Sequence, residues 1–396
     1  MTENRASALG VGITCFPTFG GSGVVATEIG LELARRGHRV HFICADVPWR
    51  FDRYVENVFF HEVEGRDYPL FDQTASPYTL ALASKMVEVA RWERLDVLHV
   101  HYAIPHAASA WMACEILRAE GGAMPRLVTT LHGTDITVVG NDRSFLPVTR
   151  FVVERSDAVT VPSRALERQT RENLGLVIDR AIDVIPNFVD TEAYVPAPAR
   201  APRRPPRLIH NSNFRPLKRV DDVVRVFAAV HRARPDCELI LVGDGPERSR
   251  IERLVHELGL SAAVHFLGKQ LRFVEVLQGA RAFLLPSATK SFGLAALEAL
   301  SCGVPVVATR TGGLPEVVTD GVDGVLLPVG EIDAMAAATL RLVEDDALWG
   351  RMSAAARATA ETRFPRGPMV ARYEALYRRV LATAATSSPG PAPPSR

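Results

Sequence analysis

The stretch LGVGITCFPTFGGSGVVATEIGLELARRGHRVHFICAD, Leu9 to Asp46, decides the fold. It reads as an apolar strand, a glycine-rich turn, a helix and a second apolar strand. Val25, Ile29 and Leu33 fall at i, i+4 and i+8 and so share one helix face. Gly37 stands where a left-handed cap ends that helix, and HRVHFICAD resumes as a buried strand. Glycine loses more backbone freedom on folding than any other residue. Gly20, Gly21 and Gly23 in one loop therefore imply a tight turn or the close approach of something bulky and polar.

The same alternation extends outward. LDVLHVHY and RLVTTLHG are two further strand-length runs, separated by the helical HAASAWMACEILRAE. Strands alternating with helices predict a parallel sheet wrapped on both faces. A proline- and arginine-rich segment, VPAPARAPRRPPR (Val195 to Arg207), reads as an extended linker. Beyond it the strand–helix pattern restarts with RLIHNSN, CELILVGDG, RAFLLPS and VPVVATR. The expectation is an α/β chain with two doubly wound domains, residues 1–195 and 196–364. A final helix, 365–385, has no strand to serve and is expected to pack back across the junction. The Pro- and Ser-rich tail, 386–396, is expected to be disordered.

The 396 residues are 47% hydrophobic, enough for a large core, and the formal net charge is +1. That balance gives no electrostatic footprint for a nucleic-acid or membrane partner. The first residues lack the apolar core of a signal peptide, and no apolar run reaches membrane-spanning length. Five cysteines are scattered without a CxxC pair, which predicts reduced thiols and a cytoplasmic location.

In an open α/β sheet, ligands sit beyond the carboxyl ends of the strands. GGSG lies there, between strand and helix, where free amides and the helix dipole favour an anion. It lacks the GxGxxG spacing, so an empty tight turn explains it equally well. NSNFRPLKR (Asn211 to Arg219) ends the first strand of the second domain. There Arg215 offers a forked contact and Lys218 a point charge, a pair suited to a diphosphate. In PSATKSFGLAALEALSCG a helix is predicted from near Ser291, leaving the amides of Phe292, Gly293 and Leu294 without helical acceptors. Glu298 follows Lys290 by eight residues, a rise of about 12 Å along one face if helical throughout. HYAIPHA and TLHGTDIT close first-domain strands. Their histidines have neither metal-ligand spacing nor a nucleophile elbow, but His132, Thr134 and Asp135 are denser in polar groups than a packing turn requires.

Taken in order, GGSGVVATEIG, HVHYAIPHA, TLHGTDIT, IPNFVD, SNFRPLKR, LVGDGPE and SFGLAALEALSCGVPVVAT resemble the GT-B retaining glycosyltransferases of family four. Within that family, CFPTFGGSGVVATE, HYAIPHA and SNFRPLKR look like the branch that moves N-acetylglucosamine (GlcNAc) from UDP-GlcNAc to L-malate in bacillithiol biosynthesis. The resemblance implies two Rossmann-like domains facing across a cleft, the first on the acceptor side and the second holding the nucleotide sugar. By match, Arg215 and Lys218 neutralise the donor diphosphate, the amides of Gly293 and Leu294 cradle it, and Glu298 holds the ribose. Gly21, Ser22 and Gly23 approach from the first domain, with His132 beside the transferred sugar. Tyr102, Thr134 and Arg150 are the acceptor candidates. UDP-GlcNAc and L-malate enter as substrates, no metal or other cofactor is expected, and a homo-oligomer is compatible with the pattern.

One position departs from the family. Its Glu-x7-Glu pattern places a carboxylate on the donor sugar's hydroxyls; here that position is Lys290, and only Glu298 remains. An ammonium donates to sugar oxygens but accepts nothing from hydroxyls. The alternatives are a related transferase acting on inositol phosphate or a sugar, a UDP-GlcNAc 2-epimerase on the same scaffold, or a sugar-nucleotide-binding protein without catalysis.

Overall fold

The computed structural model describes residues 8–17, 20–48, 51, 54–64, 78–139, 142–176, 181–198, 205–270 and 273–387. The tail from 388 on and the middle of the linker, 199–204, lie outside them.

Seven parallel strands form the first sheet: β1 (Gly10–Thr14), β2 (Arg39–Cys44), β3 (Val58–Glu62), β4 (Val97–His101), β5 (Arg126–Thr130), β6 (Ala158–Val161) and β7 (Asp183–Val184). Their spatial order is β3-β2-β1-β4-β5-β6-β7. Six more form the second: β8 (Arg207–Asn211), β9 (Glu238–Val242), β10 (Val264–Gly268), β11 (Ala282–Leu285), β12 (Val306–Thr309) and β13 (Gly324–Leu327). Their order, β10-β9-β8-β11-β12-β13, repeats that of the first sheet. The chain is thus α/β with two doubly wound sheets, as the alternation predicts. In each sheet the winding reverses beside the first strand, between β1 and β4 and between β8 and β11. A crevice opens beyond the strand ends at such a reversal.

The inner strands β1, β4, β6, β11 and β12 are buried along their whole length, as helices covering both faces require. Val11 and Ile13 in β1, and Leu208 and Ile209 in β8, are fully buried. One face of the first sheet carries Val11, Ile13, Phe42 and Val128 together with Val370, Tyr373 and Tyr377. Those last three come from the terminal helix, Arg366–Ser387, and the Tyr377 hydroxyl meets His99 Nδ1 of β4 at 2.7 Å. All five cysteines are free thiols. Among the described residues no helix is long and apolar enough to cross a membrane.

The helix expected from Ser291 instead runs from Leu294 to Ser301. Gly293 has φ +120°, a conformation that ends the preceding loop rather than extending a helix. The continuous helical ruler between Lys290 and Glu298 is therefore absent. The segment HYAIPHA is likewise not helical at its start. A wide turn occupies Ala103–Ala107, and the regular helix begins at Ala108.

Candidate functional site

The four loops at the two reversal points face each other. Two come from the first sheet, after β1 and β4, and two from the second, after β8 and β11.

After β8 the chain bends through Asn211, Ser212 and Asn213 into the short turn Pro216–Lys218. Two glycines of LVGDGPE explain how this loop is seated. A Cβ on Gly243, which has φ +112°, would lie 1.8 Å from the Ser212 carbonyl oxygen, and one on Gly245 would lie 2.2 Å from that of Asn213. His210 underpins the turn, Nδ1 at 2.8 Å from the Leu284 carbonyl and Nε2 at 2.8 Å from Ser212 Oγ. Burial pushes its imidazole down to about 4, the Leu284 bond opposes that, and the nearby Lys290 and Lys218 push the same way. His210 is a neutral strut beneath two amines.

Lys218 is pushed down to about 6, first by burial, then by the charge of Lys290, the hydrogen bond between them, and Arg215. Burial also lowers Lys290, opposed by its bond to Lys218 and by Glu298. Of the two amines, Lys218 is the one pushed toward the neutral form at physiological pH. Lys290 is fixed by its backbone: its carbonyl accepts from Gly313 N at 2.9 Å, and a Cβ on Gly312 would meet that carbonyl at 2.0 Å. Next to it, Ser163 Oγ of the first domain donates to the Ser291 carbonyl at 2.6 Å.

Gly293 caps the helix Leu294–Ser301 without any side-chain cap, so first-turn amides remain for an anion. The Phe292 ring is buried against Phe364, leaving only its backbone for a ligand. Leu294 packs on the first domain, where a Cβ on Gly21 would sit 3.6 Å away. Glu298 is 4% exposed, not the surface carboxylate that its place in the sequence suggests. A cavity of about 140 Å³ is lined by Gly20, Gly21, Val24, Asn211, Asn213, Lys218, Lys290, Leu294 and Glu298, among others.

The opposite wall begins at Gly20, which is extended and has nothing within 4 Å of an added Cβ. Thr18 and Phe19, just before it, lie outside the described residues. The helix Gly21–Arg35 follows, with Gly23 buried and its carbonyl accepting from Thr27 Oγ1 at 2.8 Å. Ser22 Oγ accepts from Tyr102 Oη at 3.1 Å. Tyr102 holds φ +83°, a conformation costing on the order of 1–3 kcal/mol in a non-glycine residue. Its ring lies 5.2 Å from those of both Phe16 and His132. Burial raises its phenol; Ser22, Arg215 and Thr134 oppose this, while Asp135 adds to it. The positive charge of Arg215, on the second domain, is thus felt at Tyr102 on the first.

His132 Nε2 contacts His101 Nδ1 at 2.8 Å, and burial pushes His132 down to about 3, with His106 adding to the effect. Asp135 accepts from Gly133 N at 2.8 Å and His132 N at 3.2 Å. Burial nonetheless raises its carboxyl to about 6, against those backbone bonds. Gly133 (φ +110°) sits at the domain contact, where a Cβ would lie 2.8 Å from Ser291 Cβ. Thr134 is exposed to the cleft.

Arg150 is the candidate left apart. Its Nε lies 3.1 Å from Glu154 on the same helix, Leu146–Arg155, and no described contact joins it to Tyr102 or Thr134. Conversely, Asn211 Oδ1, Asn213 Oδ1 and Ser287 Oγ are buried without hydrogen-bond partners among the described residues. They were legible only as polar residues at strand ends. Among the described residues no group of three or more His, Cys, Asp or Glu is arranged to hold a metal ion. A larger cavity, about 450 Å³, is lined by Glu28, Arg35, Asp190, Glu275 and Arg366. There Arg366 is already paired, 3.0 Å from Glu28 and 2.6 Å from Asp190.

Comparison with known proteins adds to this geometry. Residues 19–193 match the family model Glycosyltransferase Family 4, and residues 196–359 match Glycosyl transferases group 1. The N-acetyl-alpha-D-glucosaminyl L-malate synthase of Bacillus anthracis is 44% identical over 380 residues, 94% of this chain and 97% of that protein. A D-inositol 3-phosphate glycosyltransferase of Mycolicibacterium paratuberculosis is 31% identical, covering 91% of this chain and 86% of its own. Among solved structures, sucrose-phosphate synthase from Thermosynechococcus elongatus superposes with a TM-score of 0.76 at 22% identity, over 95% of this chain and 100% of that one. HepE of Anabaena, solved in complex with UDP and glucose, gives a TM-score of 0.74 at 21% identity, over 96% and 100%.

Proposed function

The chain belongs to the family-four glycosyltransferases of GT-B architecture, and on that premise we propose that it transfers GlcNAc from UDP-GlcNAc to the hydroxyl of L-malate, with retention, as the first step of bacillithiol biosynthesis. The observation that carries the reading is the facing of two unlike walls. A basic turn, Arg215–Lys218 with Lys290, stands opposite the hydroxyl-bearing Ser22, Tyr102 and Thr134. The identity of donor and acceptor follows the 44% identical relative.

In this reading the second domain takes the nucleotide. The diphosphate lies over Arg215, Lys218 and the uncapped helix start at Gly293 and Leu294. As the glycosidic C–O bond breaks, negative charge grows on the leaving phosphate, and preorganised cations and amides stabilise it there. Glu298, buried on the helix beyond, holds the ribose. Malate enters from the first domain against Tyr102 and Thr134, with His132 beside the sugar. His132 is neutral at physiological pH, so it serves as a hydrogen-bonding partner rather than a cation. Attack comes from the face that the diphosphate leaves, and the leaving phosphate oxygen accepts the malate hydroxyl proton. No carboxylate is assigned as a covalent nucleophile.

Mass analysis of the products tests this directly. Protein, UDP-GlcNAc and L-malate should yield GlcNAc-malate and one UDP per product. Release of UDP only with inositol phosphate would move the chain to another acceptor. Conversion of UDP-GlcNAc without malate would make it an epimerase.

A further inference from the structure

The donor cavity places two primary amines in contact. Lys218 arrives on the turn after β8 and Lys290 on the loop after β11, and they share a hydrogen bond. Both loops are closely seated, through Gly243 and Gly245 on one side and Gly312 on the other, so the two lysines enter the cavity from fixed backbone positions. Beside them, Asn211 Oδ1 and Asn213 Oδ1 line the same cavity as buried acceptors with no described partner. Asn211 is 9% exposed. Such acceptors suit the hydroxyl and N–H donors that the sugar and nucleoside of a nucleotide sugar bring in beside its phosphates.

We propose that the Lys218–Lys290 pair is a proton-coupled diphosphate site: the nucleotide sugar enters with one proton, which charges Lys218, and Lys290 becomes a further cationic contact to the phosphate oxygens. This rests on the donor-site reading above and deepens it. The proton comes from solvent, no covalent bond changes, and the neutral amine of Lys218 becomes an ammonium against phosphate.

The surrounding groups agree. Arg215, on the same turn, adds positive charge. His210 beneath, on β8, is held neutral and lends none. Glu298, from the helix Leu294–Ser301, favours charge on Lys290. Among the described residues, the first-domain wall of this cavity brings Gly20, Gly21 and Val24, none of them titratable. Without ligand, one carboxylate faces three basic groups, and Lys218, pushed down to about 6, is the one that yields its proton. Phosphate oxygens reverse that balance, because an opposite charge within a few ångströms favours the charged form.

Calorimetry of UDP-GlcNAc binding, without malate, reads the proton. At pH 7.5, titrations in HEPES and in Tris should give different heats, corresponding to uptake of about one proton per ligand. Uptake should shrink toward zero at pH 5.5, where Lys218 is already charged. In Lys290→Met the uptake should fall below half and affinity should weaken about tenfold, as expected for one lost charge-assisted contact. In Lys290→Glu the carboxylate pairs with Lys218, and uptake should vanish. Binding by the unmodified protein with equal heats in both buffers overturns the proposal while leaving the donor site standing. So does uptake that is unchanged in Lys290→Met. Absence of any UDP-GlcNAc binding overturns the donor-site reading itself.

Discussion

At the scale of single residues, the site is set by groups whose charge state the fold dictates. Arg215 and Lys218 stand where leaving-group charge develops, so Arg215→Ala or Lys218→Ala should each lower kcat about 10²–10³-fold. UDP release under saturating malate measures this, and near-normal rates in either variant would place the phosphates elsewhere. Tyr102→Phe removes only the hydroxyl that bonds Ser22. It should raise the KM for malate several-fold, roughly one neutral hydrogen bond's worth, and leave UDP-GlcNAc affinity alone. Lys290 bears on sugar choice as well as on phosphate. Because it accepts nothing from sugar hydroxyls, Lys290→Glu should sharpen the preference for UDP-GlcNAc over UDP-glucose or raise turnover. A kcat/KM ratio that does not move, with turnover unchanged, would contradict this. Arg150 has the residue type that suits a dicarboxylate, and its pair with Glu154 one turn on is a partly exposed one, worth about 0.3–0.5 kcal/mol.

At the scale of elements, the strand–turn–helix units were legible because periodicity and strand length are local properties of sequence. The loops that build the site were legible only as polar strand ends. Their shapes depend on partners far along the chain. Gly243 exists for Ser212, Gly312 for Lys290, and Gly133 for Ser291, pairings that no local pattern announces. The helix Leu294–Ser301 starts about three residues beyond the sequence expectation for the same reason: the preceding residues are tied to Gly313 and Ser163 instead. Gly243→Ala should therefore cost about 3 kcal/mol through its φ of +112° and the clash with Ser212. That corresponds to a lowering of Tm by roughly 6–12 °C, with loss of UDP-GlcNAc binding. Gly20→Ala, extended and open, is the matched control and should leave Tm unchanged. Equal effects in the two variants would mean that backbone approach is not what LVGDGPE is for.

At the scale of the whole molecule, buried histidines govern the response to acid. His99 and His132 are pushed down to about 3, His106 and His210 to about 4, and His101 well below its usual value, all chiefly by burial. The unfolded chain binds protons at these groups from about pH 6.5 downward, and the folded chain does not. Stability is therefore fully present above that pH and is lost as pH falls toward the folded values. Asp135, raised to about 6, and Asp323, also raised by burial, work the other way, against these five histidines and the likewise lowered His38, His41 and His61. Thermal melts should show Tm falling by at least about 10 °C between pH 7 and pH 5; a flat profile would contradict the neutral assignments. The terminal helix, finally, sets an order of events. Tyr373 and Tyr377 cover strands β1 and β2, made some 330 to 370 residues earlier, at ribosomal speeds roughly 15 to 75 seconds before. Through that interval Val11, Ile13 and Phe42 lack their cover, so the half of the protein that is synthesised first is finished last.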